Sequence, residues 1–187
     1  MNLIFINEIY KIFISINSPI KADSNQNLIN ELKKGGKLIF IRHAYAPGGG
    51  DPKNFDINDC KTQRNLNNIG KNQAKKIGSF FEDNNIPIDK IYSSEWCRCK
   101  DTASIAFNKF KTKKFLNSFF SSQFSKNKDF QMKKLKKFIN NWNENKNLVF
   151  VTHYVVIFES LNYGPSSGEI VISNKDFKVI DTIEIEY

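Results

Sequence analysis

Apolar residues along the chain fall into short unbroken runs, separated by stretches with helical spacing. The run KLIFIR at 37–42 is closed in front by Gly35-Gly36 and behind by a glycine-rich loop, and it predicts a buried strand. NLVFVT at 147–152 predicts another. Residues 89–93, 113–116 and 170–173 predict further strands, and the alternating stretch 178–186 closes the chain as a strand. Between these runs, Ala74, Ile77 and Phe81 share one face of a helix predicted over 70–82. Met132, Leu135, Phe138 and Ile139 do the same over 130–142. Shorter helices are predicted at 28–34, 95–107 and 155–161. Strands separated by helices predict an α/β three-layer sandwich, with a mainly parallel central sheet flanked by helices. Residues 45–68 carry Pro47, Gly48, Gly49, Gly50 and Pro52 and predict one long loop. Loops of that length inside a compact domain are usually functional or disordered.

Composition changes this picture little. At 187 residues the chain is long enough for one domain with a real core. The net charge is +9, from 28 Lys+Arg against 19 Asp+Glu. The excess is mostly lysine, and Lys, Asn, Ile and Phe are over-represented together. All four have A/T-rich codons, so a genome bias explains the set. No nucleic-acid-binding motif accompanies the charge, and no nucleic-acid partner is expected. No run of about 18 apolar residues exists, so no stable membrane insertion is expected. Residues 1–22 read equally as a signal peptide cut after Ala22, leaving 23–187 as the mature domain, or as an irregular helix packed on the domain.

The candidate chemistry lies at strand ends. The chain has two histidines, and both end predicted strands: His43 closes KLIFIRH and His153 closes NLVFVTH. In open α/β sheets, ligands bind outside the carboxyl ends of the strands. Arg42 adjoins the first histidine, and Arg98 falls on the first turn of a helix that faces the same edge. Two guanidiniums, two imidazoles and a helix N-terminus suit a phosphate, because arginine offers bidentate contacts that lysine cannot.

Arg42-His43-Ala44, Ser94-x-x-x-Arg98-x-x-x-Thr102-Ala103, Thr152-His153 and Leu66-x-x-x-Gly70-x-x-Gln73-Ala74 occur here in an order that resembles the histidine phosphatase (phosphoglycerate mutase-like) superfamily. The resemblance implies a phosphatase acting on a phosphomonoester without metal or other cofactor. In it His43 is the nucleophile, Arg42 and Arg98 bind phosphate, and His153 is the second pocket histidine. The substrate is then a small phosphorylated molecule or a phosphoprotein. Two departures stand out. Leu116-Asn117-Ser118 occupies the place of the mutases' acidic L-x-E segment, and Tyr154 stands where phytase-like members carry an acid. Asp51 and Glu169 are the replacement candidates for proton donor, each also readable as an ordinary turn or strand residue. Arg64 is a candidate substrate contact, or a surface arginine. A missing donor suits phosphohistidine, so a phosphohistidine phosphatase is the alternative enzyme. A non-catalytic phosphate-binding module on the same fold is the alternative of a different class.

Three cysteines remain, Cys60, Cys97 and Cys99. Cys-x-Cys lacks the wider ligand spacing of a zinc site. In an exported chain, Cys60 pairs with Cys97 or Cys99, with Cys99 slightly favoured. The glycine-rich loop, Asp59-Cys60 and Trp96-Cys97-Arg98-Cys99 are similar to a bacterial subgroup that often carries an export signal. More loosely, they resemble lipopolysaccharide core heptose phosphate phosphatases. This favours a periplasmic or secreted location over a cytoplasmic one.

Overall fold

The computed structural model of the chain describes residues 19–143 and 145–187. Most of the candidate signal peptide, residues 1–18, lies outside the described residues. Residues 19–22 begin a helix, α1 (Pro19–Lys33). Then follow β1 (Leu38–Arg42), α2 (Asn68–Asp83), β2 (Ile88–Ser93), α3 (Cys97–Phe107), β3 (Lys111–Thr112), α4 (Ser122–Ser125) and α5 (Lys128–Asn140). The chain closes with β4 (Asn147–Thr152), α6 (Tyr154–Leu161), β5 (Ile170–Ser173) and β6 (Val179–Ile183). The strand predicted at 113–116 is instead a tight 3-10 turn, Lys114–Leu116, and the strand lies just before it.

The six strands form one sheet in the order β3-β2-β4-β1-β5-β6. Side chains alternate across it, as strand geometry requires. Ile39, Ile41, Val149 and Val151 pack on one face with Leu28 and Leu32 of α1, Ile77 and Phe81 of α2, and Ala103 and Ala106 of α3. Leu38, Phe40, Leu148 and Phe150 pack on the other with Leu135 and Ile139 of α5 and Val156 and Ile157 of α6. This is the expected three-layer sandwich.

The sheet is mixed, not mainly parallel. β3, β2, β4 and β1 pair in parallel, whereas β5 runs antiparallel to both β1 and β6. The cause is local. After α6 the chain returns to the carboxyl edge of β1, where the Gly168 N–H reaches the carbonyls of Arg42 and His43, both at 3.2 Å. A strand that enters the sheet from that edge can only run back down it. A parallel strand would need a full crossover first.

β1 and β4 lie side by side in the middle of the sheet, with Arg42 opposite Thr152. That register sets His43 and His153 side by side at one edge. The start of α2 presses on the chain just beyond His43. A Cβ at Gly70 would lie 1.9 Å from the Tyr45 carbonyl oxygen, so only glycine fits there. Gln73, one turn on, accepts from the Tyr45 N–H at 2.8 Å and donates to the carbonyls of Ser167 and Ile185. The Leu66–Gln73 motif thus ties the main chain just after β1 to the segments around Ser167 and Ile185.

Candidate active site

His43 and His153 are 2% and 3% exposed, and their rings meet edge-on at 5.5 Å. His43 Nδ1 lies 2.9 Å from the Ala44 carbonyl oxygen. A carbonyl only accepts, so Nδ1 carries the proton and Nε2 carries the lone pair. Arg98 Nε donates to that Nε2 at 3.2 Å. Burial first, then the guanidiniums of Arg98, Arg64 and Arg42, push His43 well below the usual imidazole range. Burial and the same arginines push His153 down too. His153 caps α6, and its Nε2 sits 2.8 Å from Ser94 Oγ.

These shifts have a stability consequence. An unfolded histidine titrates near pH 6.5. A buried one held neutral binds its proton only at lower pH, so acid favours the unfolded chain. The contribution is whole above pH 6.5 and is lost as pH falls from there toward the lowered folded value. Urea midpoints are expected to be clearly lower at pH 5.5 than at 7.5. Equal midpoints would contradict the buried neutral pair.

Arg42 ends β1. Its Nη1 donates to the Pro165 carbonyl at 2.9 Å, and its guanidinium lies 5.6 Å from the Tyr154 ring centre. Arg64 comes in from the long loop and lines the same pocket, its Nη1 on the Ala46 carbonyl. The Nε–H groups of Arg42 and Arg64 are both buried without a hydrogen-bond partner. Buried unpaired donors are costly, and two of them beside His43 suit an oxyanion.

Arg98, on the first turn of α3, is 4% exposed. Its Nη1 and Nη2 donate to the two oxygens of Asp51 at 2.7 and 3.2 Å. The Arg64 backbone N–H and Trp96 Nε1 also donate to that carboxylate, both at 3.1 Å. Burial alone would raise the Asp51 pKa. Arg98 and these donors outweigh it and hold the carboxyl below its ordinary value. Asp51 therefore sits in the pocket as an ionised partner of Arg98, the form that cannot donate a proton. Glu169, the other candidate acid, is turned away: it accepts from Tyr163 Oη at 2.5 Å and the Ser166 N–H at 2.6 Å, outside the pocket lining.

The disulfide joins Cys60 to Cys97, not to Cys99. Residues two apart on a helix point about 200° apart. Cys97 faces the loop, while Cys99 faces the sheet, 3.6 Å from the Thr152 carbonyl and 3.5 Å from His153 Nε2. Burial raises the free Cys99 thiol to about 12, against the opposite pull of Arg98. It stays protonated at neutral pH.

The structure thus brings Arg42, His43, Asp51, Arg64, Arg98 and His153 around one pocket. Sequence reasoning missed the Asp51–Arg98 pair and two supporting side chains. Gln63 Oε1 accepts from the Cys97 N–H at 2.9 Å and so caps α3. Asn117 Oδ1 accepts from Ser94 Oγ at 3.1 Å and from the Glu95 N–H at 2.8 Å. No local signal marks these partners, which lie 22 to 47 residues apart.

A strand-end histidine beside arginines, on a six-stranded sheet flanked by helices, defines a class. Residues 38–120 match the family model of the histidine phosphatase superfamily (branch 1). A curated relative is the mitochondrial serine/threonine-protein phosphatase Pgam5 of Drosophila grimshawi, 31% identical over 102 residues. The match takes in 50% of this chain but only 32% of that relative, so the chain spans about a third of its length. Among solved structures, the putative phosphohistidine phosphatase SixA from Agrobacterium tumefaciens superposes with a TM-score of 0.55 at 19% identity, covering 80% of this chain and 97% of that one. Phosphoglycerate mutase from Thermus thermophilus gives 0.57 at 13% identity, covering 80% and 99%. These two likenesses concern the fold.

Proposed function

We propose that the chain is a phosphatase that hydrolyses a phosphomonoester through phosphorylated His43, with no metal or organic cofactor. One observation carries this reading: a neutral imidazole presents its Nε2 lone pair to a pocket of three guanidiniums. In the first step Nε2 attacks phosphorus, a P–N bond forms, and the P–O bond to the leaving group breaks. Arg42, Arg64 and Arg98 hold the charge on the transferring phosphoryl. Water then attacks phosphorus, the P–N bond breaks, and phosphate leaves. Quenching the wild-type protein during turnover of a labelled phosphomonoester is expected to give an acid-labile, base-stable phosphoprotein. An acid-stable label, or none, would contradict the reading.

A second reading is hydrolysis of phosphohistidine. The SixA neighbour supports it, and so does a pocket whose one carboxylate is tied to Arg98.

We also propose that the protein works outside the cytosol, in the periplasm or secreted. The Cys60–Cys97 bridge supports this, because disulfides persist in oxidising compartments. Mass spectrometry of protein from its host, alkylated before reduction, is expected to find one blocked thiol. Three would place the protein in a reducing compartment.

A further inference from the structure

The pocket beside His43 has a volume of about 590 Å³, and much of its wall is aromatic. Phe55 stacks on Trp96 at 4.9 Å, and Phe124 meets both rings edge-on, at 5.6 and 5.5 Å. Phe120 and Tyr154 line the same pocket and are 74% and 41% exposed. Large aromatic side chains left open to water at a pocket are a binding feature. Among the described residues the only carboxylate in the lining is Asp51, and its two oxygens are spent on Arg98, Trp96 and the Arg64 N–H. Both histidines are held neutral by burial and by the arginines. Among the described residues the pocket therefore holds no imidazolium and no uncommitted carboxylic acid to protonate a leaving group.

From the aromatic wall and the absence of a free carboxylic acid in this lining, we infer that the substrate is an aryl phosphomonoester, a phosphate carried on a phenolic ring such as that of phosphotyrosine. This rests on the reading of the pocket as a phosphatase site. A phenol ionises near pH 10, some five to six units below water or a simple alcohol. Its oxygen can leave as the anion without being protonated in the transition state. His43 Nε2 gives its lone pair to phosphorus, and the P–O pair departs on the phenolate. Solvent protonates the phenolate after it leaves. The aromatic wall binds the flat ring by offset or edge-on contact. The three guanidiniums favour an anionic leaving group. They disfavour the protonated ring that an imidazole of phosphohistidine needs in order to leave.

Three substrates separate the contributions. Phenyl phosphate has the ring and the good leaving group. Cyclohexyl phosphate has the ring's bulk but an alcohol's leaving group, and acetyl phosphate has a good leaving group but no ring. The expected kcat/KM for phenyl phosphate exceeds that for cyclohexyl phosphate by at least about 10²-fold, the low end of what a general acid normally supplies. It also exceeds that for acetyl phosphate. Phe120→Ala is expected to raise KM for phenyl phosphate roughly threefold to tenfold, the range of a lost aromatic contact. Equal rates on phenyl and cyclohexyl phosphate would overturn the proposal. So would a preference for acetyl phosphate or for a phosphohistidine peptide over phenyl phosphate. No turnover of any substrate, with no phospho-His43, would instead sink the phosphatase reading on which the proposal stands.

Discussion

His43→Ala is expected to lose at least about 10⁴-fold in kcat and all of the acid-labile phosphoprotein. Losses of that size follow removal of a covalent nucleophile that works as part of a unit. Nδ1 is committed to the Ala44 carbonyl, so Nε2 is the one ring atom with a lone pair to offer. His153 does not replace it, because its Nε2 sits 2.8 Å from Ser94 Oγ and 3.5 Å from Cys99 Sγ. Alanine removes the attacking atom yet leaves the three guanidiniums, so phosphate should still bind. A variant with unchanged KM and no burst is the expected signature. Turnover within tenfold of wild type would show that His43 is not the nucleophile.

Arg98→Lys is expected to lower kcat/KM by about 10²–10³-fold although charge is conserved, the range for loss of one well-placed transition-state donor. The guanidinium has five N–H groups. Nε–H points to His43 Nε2, Nη1 serves Asp51 and the Arg64 carbonyl, and Nη2 serves Asp51 with one hydrogen. The other Nη2 hydrogen lies on the same edge as Nε–H. That edge is a two-pronged donor facing His43 Nε2, the atom proposed to take the phosphoryl. Asp51 grips the opposite end and fixes the plane. A lysine ammonium is a single point and cannot hold Asp51 and a phosphoryl oxygen together. The same substitution should also loosen the loop, because Asp51 loses its bidentate partner. Near-normal kcat/KM in this variant would remove Arg98 from the phosphate site.

Much of this arrangement is legible in the sequence, for physical reasons. β1, β4 and β5 are buried on both faces, so their residues form continuous apolar runs bounded by turns. Their ends therefore carry His43 and His153 visibly. α2 and α5 show one apolar stripe each, because each packs one face on the sheet. Other features depend on what meets in space. The direction of β5 follows from the return of residues 162–169 to the edge of β1, which no run of residues announces. Asp51 reads as a turn residue before Pro52, and its partner is 47 residues away. Cys97 and Cys99 have similar local contexts and differ only in which side of α3 faces the loop. The short β3 and the 3-10 turn after it read as one strand, because both are brief and Phe115-Leu116 is apolar. Gln63 and Gln73 look like ordinary polar residues until their carbonyl and N–H partners are placed.

The strand order has a consequence for how binding and folding are linked. β4 lies between β1 and β2, so the strand that ends beside His43 and the turn that carries Arg98 flank a strand about fifty residues later in the chain. The anion site is therefore a high-contact-order object: it does not exist until the central strand is inserted. No shorter piece of the chain that lacks β4 holds His43 and Arg98 at their observed spacing. Any oxyanion that binds there binds only the fully assembled sheet. Its free energy is added to global unfolding as RT ln(1 + [L]/Kd), so a ligand at a hundred times its Kd raises whole-domain stability by about 2.7 kcal/mol.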